Sequence, residues 1–430
     1  MVVAACVIAV FGAGFLYGGR AKTLGYDSPL DKDPQVLLSP VLWQDITALR
    51  SDDLSQARPA LLRSCDLFLK RPEDAPYGHG ENVLGTVADW WPFCRALKAQ
   101  SQRADVAEVS IYSLLEKHLQ PYVLKKKAPI LSAVLAPFGL EGYGAKSKGL
   151  FTGYYEPVVQ GSYQRSDEYN VPLYTLPADH LTADLGDFYP EMAGKKITAQ
   201  KAGRHLKPYH TRAEIDTGIL GGSDVLLWLK DPVDKFFLQI QGSGRVLLPD
   251  GGRVFVGYAG ANGHPYTAIG RYLVQQGYMA LDDVSMQSIR HWLSENPAKR
   301  DEVLHQNESY VFFKQHQDGP YGTQGVLLTP GRSLAVDRRA IPMGTPVFLQ
   351  TDITATGQPS RKLMVAQDTG GAIKGTIRGD IYFGYGDEAA YMAGKQKSEG
   401  RLFVLLPKGI SITNGDGANG DGSNGSVNKP

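Results

Sequence analysis

Three aspartates near the C-terminal end of the chain stand where proton chemistry can be done: Asp337 in A-V-D-R-R-A-I-P-M-G-T-P-V-F-L, Asp368 in V-A-Q-D-T-G-G-A-I-K-G, and Asp380 in R-G-D-I-Y-F-G-Y-G, with Asp387 and Glu388 after them. Asp368 ends the apolar run L-M-V-A-Q and enters a Gly-Gly turn, which gives open backbone and a carboxylate able to face a groove. Asp380 precedes Ile381-Tyr382-Phe383, where alternate residues enter a core. Aromatic backing desolvates its carboxyl and raises its pKa, which suits a general acid. The competing reading is an ordinary β-turn aspartate. Asp337 precedes Arg338, Arg339 and a Pro-Met-Gly turn, the setting of a turn cap or an ion pair.

A second Asp-Thr-Gly occurs at Asp216-Thr217-Gly218. Together with Asp368 it raises the two-carboxylate chemistry of an aspartic protease, in which like charges in contact share one proton. The surroundings of the two tripeptides disagree with that reading. Asp368 follows Gln367, where such a protease usually has an apolar residue, and Asp216 lies in the polar stretch H-T-R-A-E-I-D-T-G-I-L-G-G. Neither tripeptide is followed by Ser or Thr, and short motifs of this kind arise easily in a glycine-rich chain. No phosphate-binding loop ending in G-K-[ST] is present, Gln241-Gly242-Ser243-Gly244 only approaches a serine-nucleophile elbow, and the nine histidines lack metal-ligand spacing.

The elements that must position these residues follow from composition and periodicity. The chain has 430 residues, enough for two or three domains, and its 45 basic and 44 acidic residues leave no surplus charge for a nucleic-acid surface. Met1 to Tyr17 is nearly all apolar, which fits a secretory signal core or a short membrane anchor better than a buried helix. Val3-Ala4-Ala5-Cys6 has the look of a lipoprotein box but stands too close to Met1 to follow a full apolar core. Cys65 and Cys94 are either a disulfide, which an oxidising compartment permits, or two buried thiols; their spacing does not decide.

From about Leu42 to Leu135 the apolar spacing is helical, with Leu54, Ala57, Leu61 and Leu62 on one face and Val106, Val109, Leu114, Leu115 and Leu119 on another. Ala136-Pro137-Phe138-Gly139 ends that region. From Leu150 onward short β-type runs alternate with turn residues, among them V-L-L-W-L, K-F-F-L-Q-I-Q-G-S-G-R-V-L-L and R-V-F-V-G-Y-A-G. Helix returns from Ala268 to Ser294, a second β block runs from Ser309 to Leu406, and the tail N-G-D-G-A-N-G-D-G-S-N-G is low in complexity. The fold class is therefore mainly β with a helical N-terminal region, its strands suited to small barrels.

The stretches F-T-G-Y-Y-E-P (Phe151 to Pro157), F-L-Q-I-Q-G-S-G (Phe237 to Gly244), G-Y-A-G-A-N-G-H-P-Y (Gly257 to Tyr266) and the block from Tyr321 to Leu406 resemble the membrane-bound lytic murein transglycosylase A family. The resemblance covers most of the chain from Leu150 to Leu406, and the last block is similar to the family's three-aspartate (3D) domain. It implies a double-psi β-barrel domain, a second β-barrel domain inserted into it, and a substrate groove between the two. The corresponding boundaries are 1–22 for a signal or anchor, 23–152 for the helical part of the barrel domain, 153–285 for the insert, 286–408 for the double-psi barrel and 409–430 for a disordered tail.

The activity implied is cleavage of the β-1,4 bond between N-acetylmuramic acid and N-acetylglucosamine in peptidoglycan, leaving a 1,6-anhydromuramic end. One aspartate serves as acid and then base. By motif position that role falls to Asp380, with Asp368 supporting it. Tyr154, Tyr155, Glu156, Gln239, Gln241, Gly242, Ser243, Tyr258, Asn262 and Asp337 are the substrate-binding candidates, although each taken singly suits core packing or turn geometry. No cofactor or metal is implied. The expected partners are glycan strands and cell-wall enzyme complexes, and the expected place is the periplasm, with anchoring through the N-terminal segment to the inner or outer membrane. Two alternatives remain in view: the protease using Asp216 and Asp368, and a non-catalytic peptidoglycan-binding protein.

Overall fold

The computed structural model describes residues 36–410 apart from 80–81, 103–109, 127–145, 190–191, 193–195 and 223. The apolar segment 1–22, nearly all of the tail 409–430, Val106, Val109 and the break at Ala136–Gly139 lie outside the described residues.

The N-terminal part is helical in its middle and extended at its ends. Strand β1 (Val36–Pro40) is followed by the helix Arg58–Phe68, the hairpin β2 (Pro76–His79) and β3 (Asn82–Thr86), the helices Trp91–Ser101 and Ile111–His118, and β4 (Leu119–Lys126). The helical spacing expected through Leu119 therefore stops at His118. Pro121 has no amide hydrogen for a helix interior, and β4 instead pairs with β1 and with the last strand of the chain.

Cys65 and Cys94 form a disulfide between two of these helices, both sulfurs buried beside Phe68 and Trp90. The bridge closes a loop with a sequence separation of 29, and a loop of that length is worth about 3–4 kcal/mol by the chain-entropy relation. Reduction with dithiothreitol is expected to lower the urea midpoint accordingly; an unchanged midpoint would show that packing alone holds these helices.

The barrel begins with β5 (Gly149–Glu156). The chain then leaves it for an inserted domain: β6 (Val158–Ser162), β7 (Val171–Tyr174), β8 (His180–Asp184), β9 (Lys196–Ala202), β10 (His205–Pro208), β11 (Val225–Leu229), β12 (Ser243–Leu247), β13 (Arg253–Ala261) and β14 (Val311–His316). It returns through β15 (Ser333–Val336), β16 (Pro346–Ile353), β17 (Gln358–Asp368), β18 (Arg378–Tyr385) and β19 (Lys397–Pro407).

Six strands close the barrel in the order β19-β16-β17-β15-β18-β5, with β5 pairing back onto β19. The β15–β17 and β18–β5 pairs are parallel and the other four antiparallel. This is the expected double-psi barrel. Its interior is filled from both ends of the sequence by Phe151, Leu334, Val347, Met364, Leu402 and Val404, which register and alternation place on one face and which are all nearly inaccessible to solvent. Arg332 ties the N-terminal segment to it through a buried two-pronged pair with Asp52 at 2.6 and 2.9 Å.

The inserted domain is a six-stranded sheet in the order β14-β13-β12-β6-β11-β7, whose end strands approach each other around the helix Pro232–Gln241. A three-stranded sheet, β10-β9-β8, stands beside it. Two expectations are corrected here. The run K-F-F-L-Q-I-Q is helix rather than strand, because Asp231 caps the Val233 amide at 2.7 Å, Pro232 occupies the first turn and Gly242 closes the end at φ 77. Strand β14 pairs with β13 and β5 pairs with β18 and β19, so the insert sheet extends beyond residue 285 and the barrel includes residues beyond 152.

Candidate active site

The central strand of the site is β15, flanked by β17 on one side and β18 on the other. Ala335 is the register partner of both Asp368 and Asp380, and Asp380 in turn partners Thr152 on β5. Partners in register project from the same face, so the two carboxylates and the threonine share one row with a single methyl group between the acids. Two strand spacings put the aspartate backbones about 9–10 Å apart. One residue away, Leu334 and Ile381 turn to the opposite face and join the core.

Both oxygens of Asp368 are engaged. Its Oδ1 accepts the Thr323 amide at 2.9 Å, the Thr323 hydroxyl at 3.0 Å and the Thr369 amide at 2.9 Å, while Oδ2 accepts the Tyr154 hydroxyl at 2.9 Å. Gly322 brings the Thr323 amide in: a Cβ there would lie 2.3 Å from the Gln367 carbonyl. Gln367 is itself locked by Ser333, Ser64 and the Ala60 carbonyl. Burial raises the Asp368 pKa, and these donors oppose the rise.

Asp380 is different. Its Oδ1 accepts the Thr152 hydroxyl, and no described group hydrogen-bonds Oδ2. Arg378, two residues earlier on the same face of β18, donates from Nη2 to Thr152 Oγ1 at 2.7 Å. Burial pushes the Asp380 carboxyl up to about 6; Thr152 and the Arg378 charge act against the rise, and the charge of Asp368 adds to it. The result is a carboxyl that holds its proton in mildly acidic solution and keeps one oxygen free to use it.

The sequence candidates divide sharply. Tyr154 is buried, packs with its ring centroid 5.3 Å from that of its register partner Tyr382 at a 46° tilt and holds Asp368, so its ring is closed to a sugar. Tyr155 faces the other way, packing on Ala389 and Ala393. Glu156 is 1% exposed and paired at 2.7 Å with Arg245 across the seam between barrel and insert; burial raises its pKa. Gln239 is consumed by Arg212 and the Val311 carbonyl, and Asn262 by four backbone groups, at His210, Glu308, Tyr310 and His264. Ser243 is buried in β12. For these six a groove-lining role is corrected to an internal one, because their polar atoms are spent or their surfaces covered.

Asp337 is 4% exposed and bound by Arg339 and the Gly375 amide, the ion pair that its neighbours suggested. Burial would raise its pKa, but those donors outweigh it and hold the value below the usual range. Gln241 spends its oxygen on the Tyr155 amide at 3.1 Å and keeps its NH2 group, beside the left-handed Gly242. Tyr258 is 56% exposed. Gln241 and Tyr258 thus remain available to a glycan.

Sequence reasoning missed Thr152, Arg378 and Thr323. The first two were legible: Thr152 alternates with Tyr154 in F-T-G-Y, and Arg378 with Asp380 in R-G-D. Thr323 meets Asp368 only through a long-range loop contact.

The protease geometry is absent. Asp216 ends a short helix of the insert, bonded at 2.7 Å to Lys235 and 3.4 Å from His305. Burial raises its pKa, but these partners prevail and bring it to about 2. It belongs to a structural ion network and has no part in the Asp368 row.

A closed six-stranded barrel with one free, proton-holding carboxyl in its wall and a β insert beside it defines a class. The MltA specific insert domain model matches residues 150–314, and the 3D domain model matches residues 332–406. Membrane-bound lytic murein transglycosylase A of Escherichia coli strain K12 is 37% identical over 281 residues, 62% of this chain and 70% of the relative. The membrane-bound lytic murein transglycosylase of Agrobacterium tumefaciens superposes with a TM-score of 0.71 at 30% identity, covering 86% of this chain and 98% of the other. Escherichia coli MltA with bound chitohexaose superposes with a TM-score of 0.58 at 27% identity, over 87% and 93% of the two chains. The chain belongs to the membrane-bound lytic murein transglycosylase A family and is a peptidoglycan lytic transglycosylase. It is an envelope-associated, periplasmic enzyme. No helix among the described residues is long and apolar enough to cross a membrane.

Proposed function

We propose that Asp380 alone is the acid and the base of this cleavage. The observation carrying the proposal is the contrast between the two carboxylates: all of Asp368 is engaged, while Oδ2 of Asp380 is not. A glycoside hydrolase needs two working carboxyls, one for the leaving group and one for water or as nucleophile. Here one is available. The Asp380 proton passes to the glycosidic oxygen as the bond to C1 of N-acetylmuramic acid breaks. The resulting carboxylate then takes the proton of the same sugar's C6 hydroxyl as O6 closes on C1. No water is consumed, the 1,6-anhydro end forms, and Asp380 regains its proton. Because the nucleophile belongs to the substrate, its effective concentration is high once the ring is held.

Asp368 supports the step by its fixed negative charge. Tyr258 and Gln241 are the candidate glycan contacts, and the chitohexaose held by the Escherichia coli relative supports an extended chain of β-1,4-linked amino sugars as ligand. The pairings support residues 157–316 as the inserted domain and the segments on either side as the barrel domain. The apolar first residues serve as the envelope anchor, in the inner or outer membrane, and cell-wall enzyme complexes are the further partners.

Mass spectrometry of muropeptides released from purified sacculi tests the reaction. Each N-acetylmuramic end is expected to be lighter by one water than the hydrolytic product, with no label taken from H2(18)O. Labelled reducing ends would mean that water attacks, and sacculus binding without soluble product would mean a binding protein.

A further inference from the structure

We infer that Arg378 and Thr152 form a one-way hydrogen-bond relay that fixes which oxygen of Asp380 carries the working proton, an inference that rests on Asp380 being the acid–base group. The direction follows from donor chemistry. A guanidinium has no acceptor, so the 2.7 Å contact between Arg378 Nη2 and Thr152 Oγ1 places an arginine proton on the threonine oxygen. The single hydroxyl proton of Thr152 then has one acceptor among its described contacts, Oδ1 of Asp380. An oxygen that accepts in this way is the unprotonated one of a carboxyl, so the acidic proton sits on Oδ2, the oxygen with no described partner.

The relay is itself held. Arg378 Nη1 donates to the carbonyls of Gly379 at 2.5 Å and Leu150 at 3.3 Å, fixing the guanidinium across β18 and β5. Alternation along β18 puts Arg378 on the same face as Asp380, and register puts Thr152 opposite Asp380. The other titratable groups around Asp380 are Asp368 on β17, Tyr154 on β5 and Tyr382 on its own strand, with Lys397 of β19 opposite Thr152. Arg378 is the cation whose charge bears on Asp380.

When Asp380 gives up its proton, the new charge meets a hydroxyl already pointing at it and polarised by an arginine. That arrangement stabilises the carboxylate between the acid and base steps and returns the proton to Oδ2. Arg378 and Thr152 are positioning residues: neither touches the bond that breaks.

The test is the pH dependence of muropeptide release from limiting sacculi by the full chain, comparing Thr152→Val, Thr152→Ser and Arg378→Met with the wild type. Losing the donor or the cation leaves the carboxylate less stabilised, so the proton is held more tightly. The alkaline limb is expected to move up by about one pH unit in the Val and Met variants, and Thr152→Ser is expected to restore it. A merely structural loss would lower the rate without moving the limb, and unmoved limbs in both variants would overturn the relay. Asp380→Asn, assayed beside them, separates the two claims. If it stays active the acid–base reading itself fails, and if it is inactive while the limbs stay put only the relay fails.

Discussion

Asp380→Asn is expected to reduce muropeptide release from sacculi by about 10²–10⁴-fold, the span attributable to one general acid–base group, with the chain still folded. The amide cannot deliver a proton to the glycosidic oxygen or accept one from the C6 hydroxyl, so both steps fail together. Its oxygen can still accept the Thr152 hydroxyl, which preserves the local geometry. Stability is expected to move the other way. The folded state raises the Asp380 pKa to about 6 from an ordinary value of 3.8, so it favours the protonated carboxyl, and ionisation as pH rises through that window weakens the fold. Removing the charge relieves this cost, and Tm at neutral pH should be no lower than in the wild type. Release within tenfold of wild type, with intact circular dichroism, would remove Asp380 from the mechanism.

Asp368→Asn is expected to act through charge. The amide oxygen can keep the Thr323 and Thr369 amides, and its NH2 can turn to the Tyr154 hydroxyl, which then accepts. What disappears is the negative charge that helps Asp380 keep its proton. Asp380 then ionises at lower pH, and the alkaline limb moves down by about one unit for charges at this spacing, opposite in sign to the Thr152 and Arg378 variants. Above the limb each unit costs about tenfold in rate, because the acid form falls tenfold. Opposite shifts from neighbours in one row distinguish tuning from general damage. A limb that stays in place in Asp368→Asn would make Asp368 a scaffold only.

Much of this site was legible before any coordinate. Asp380 stands before an aromatic strand, and burial does raise its pKa; Asp368 ends an apolar strand and meets a turn. The polar motif residues misled, because a sequence shows that Gln239 or Asn262 is polar without showing which backbone groups use it. Asn262 looked like a sugar contact and is a four-way clamp on backbone. Gln239 looked like a strand residue and lies on a helix whose Asp-Pro start and Gly end were visible in the chain. The barrel was implied by resemblance rather than read from pattern. Closure depends on β5 meeting β18 and β19, more than two hundred residues away along the chain, and local periodicity carries no record of such pairings. The disulfide was undecided for the same reason: spacing permits a bridge, and only the packing of two helices makes it.

The most direct test of a single carboxyl acting first as an acid is the wild-type pH profile of kcat/KM for muropeptide release, which reports ionisations of the free enzyme. The account predicts a limb that falls tenfold per unit above about pH 6, the value to which burial raises Asp380. A profile that stays level or rises from pH 6 to 8 would contradict it, because a required acid that titrates near 6 must lose activity as it loses its proton.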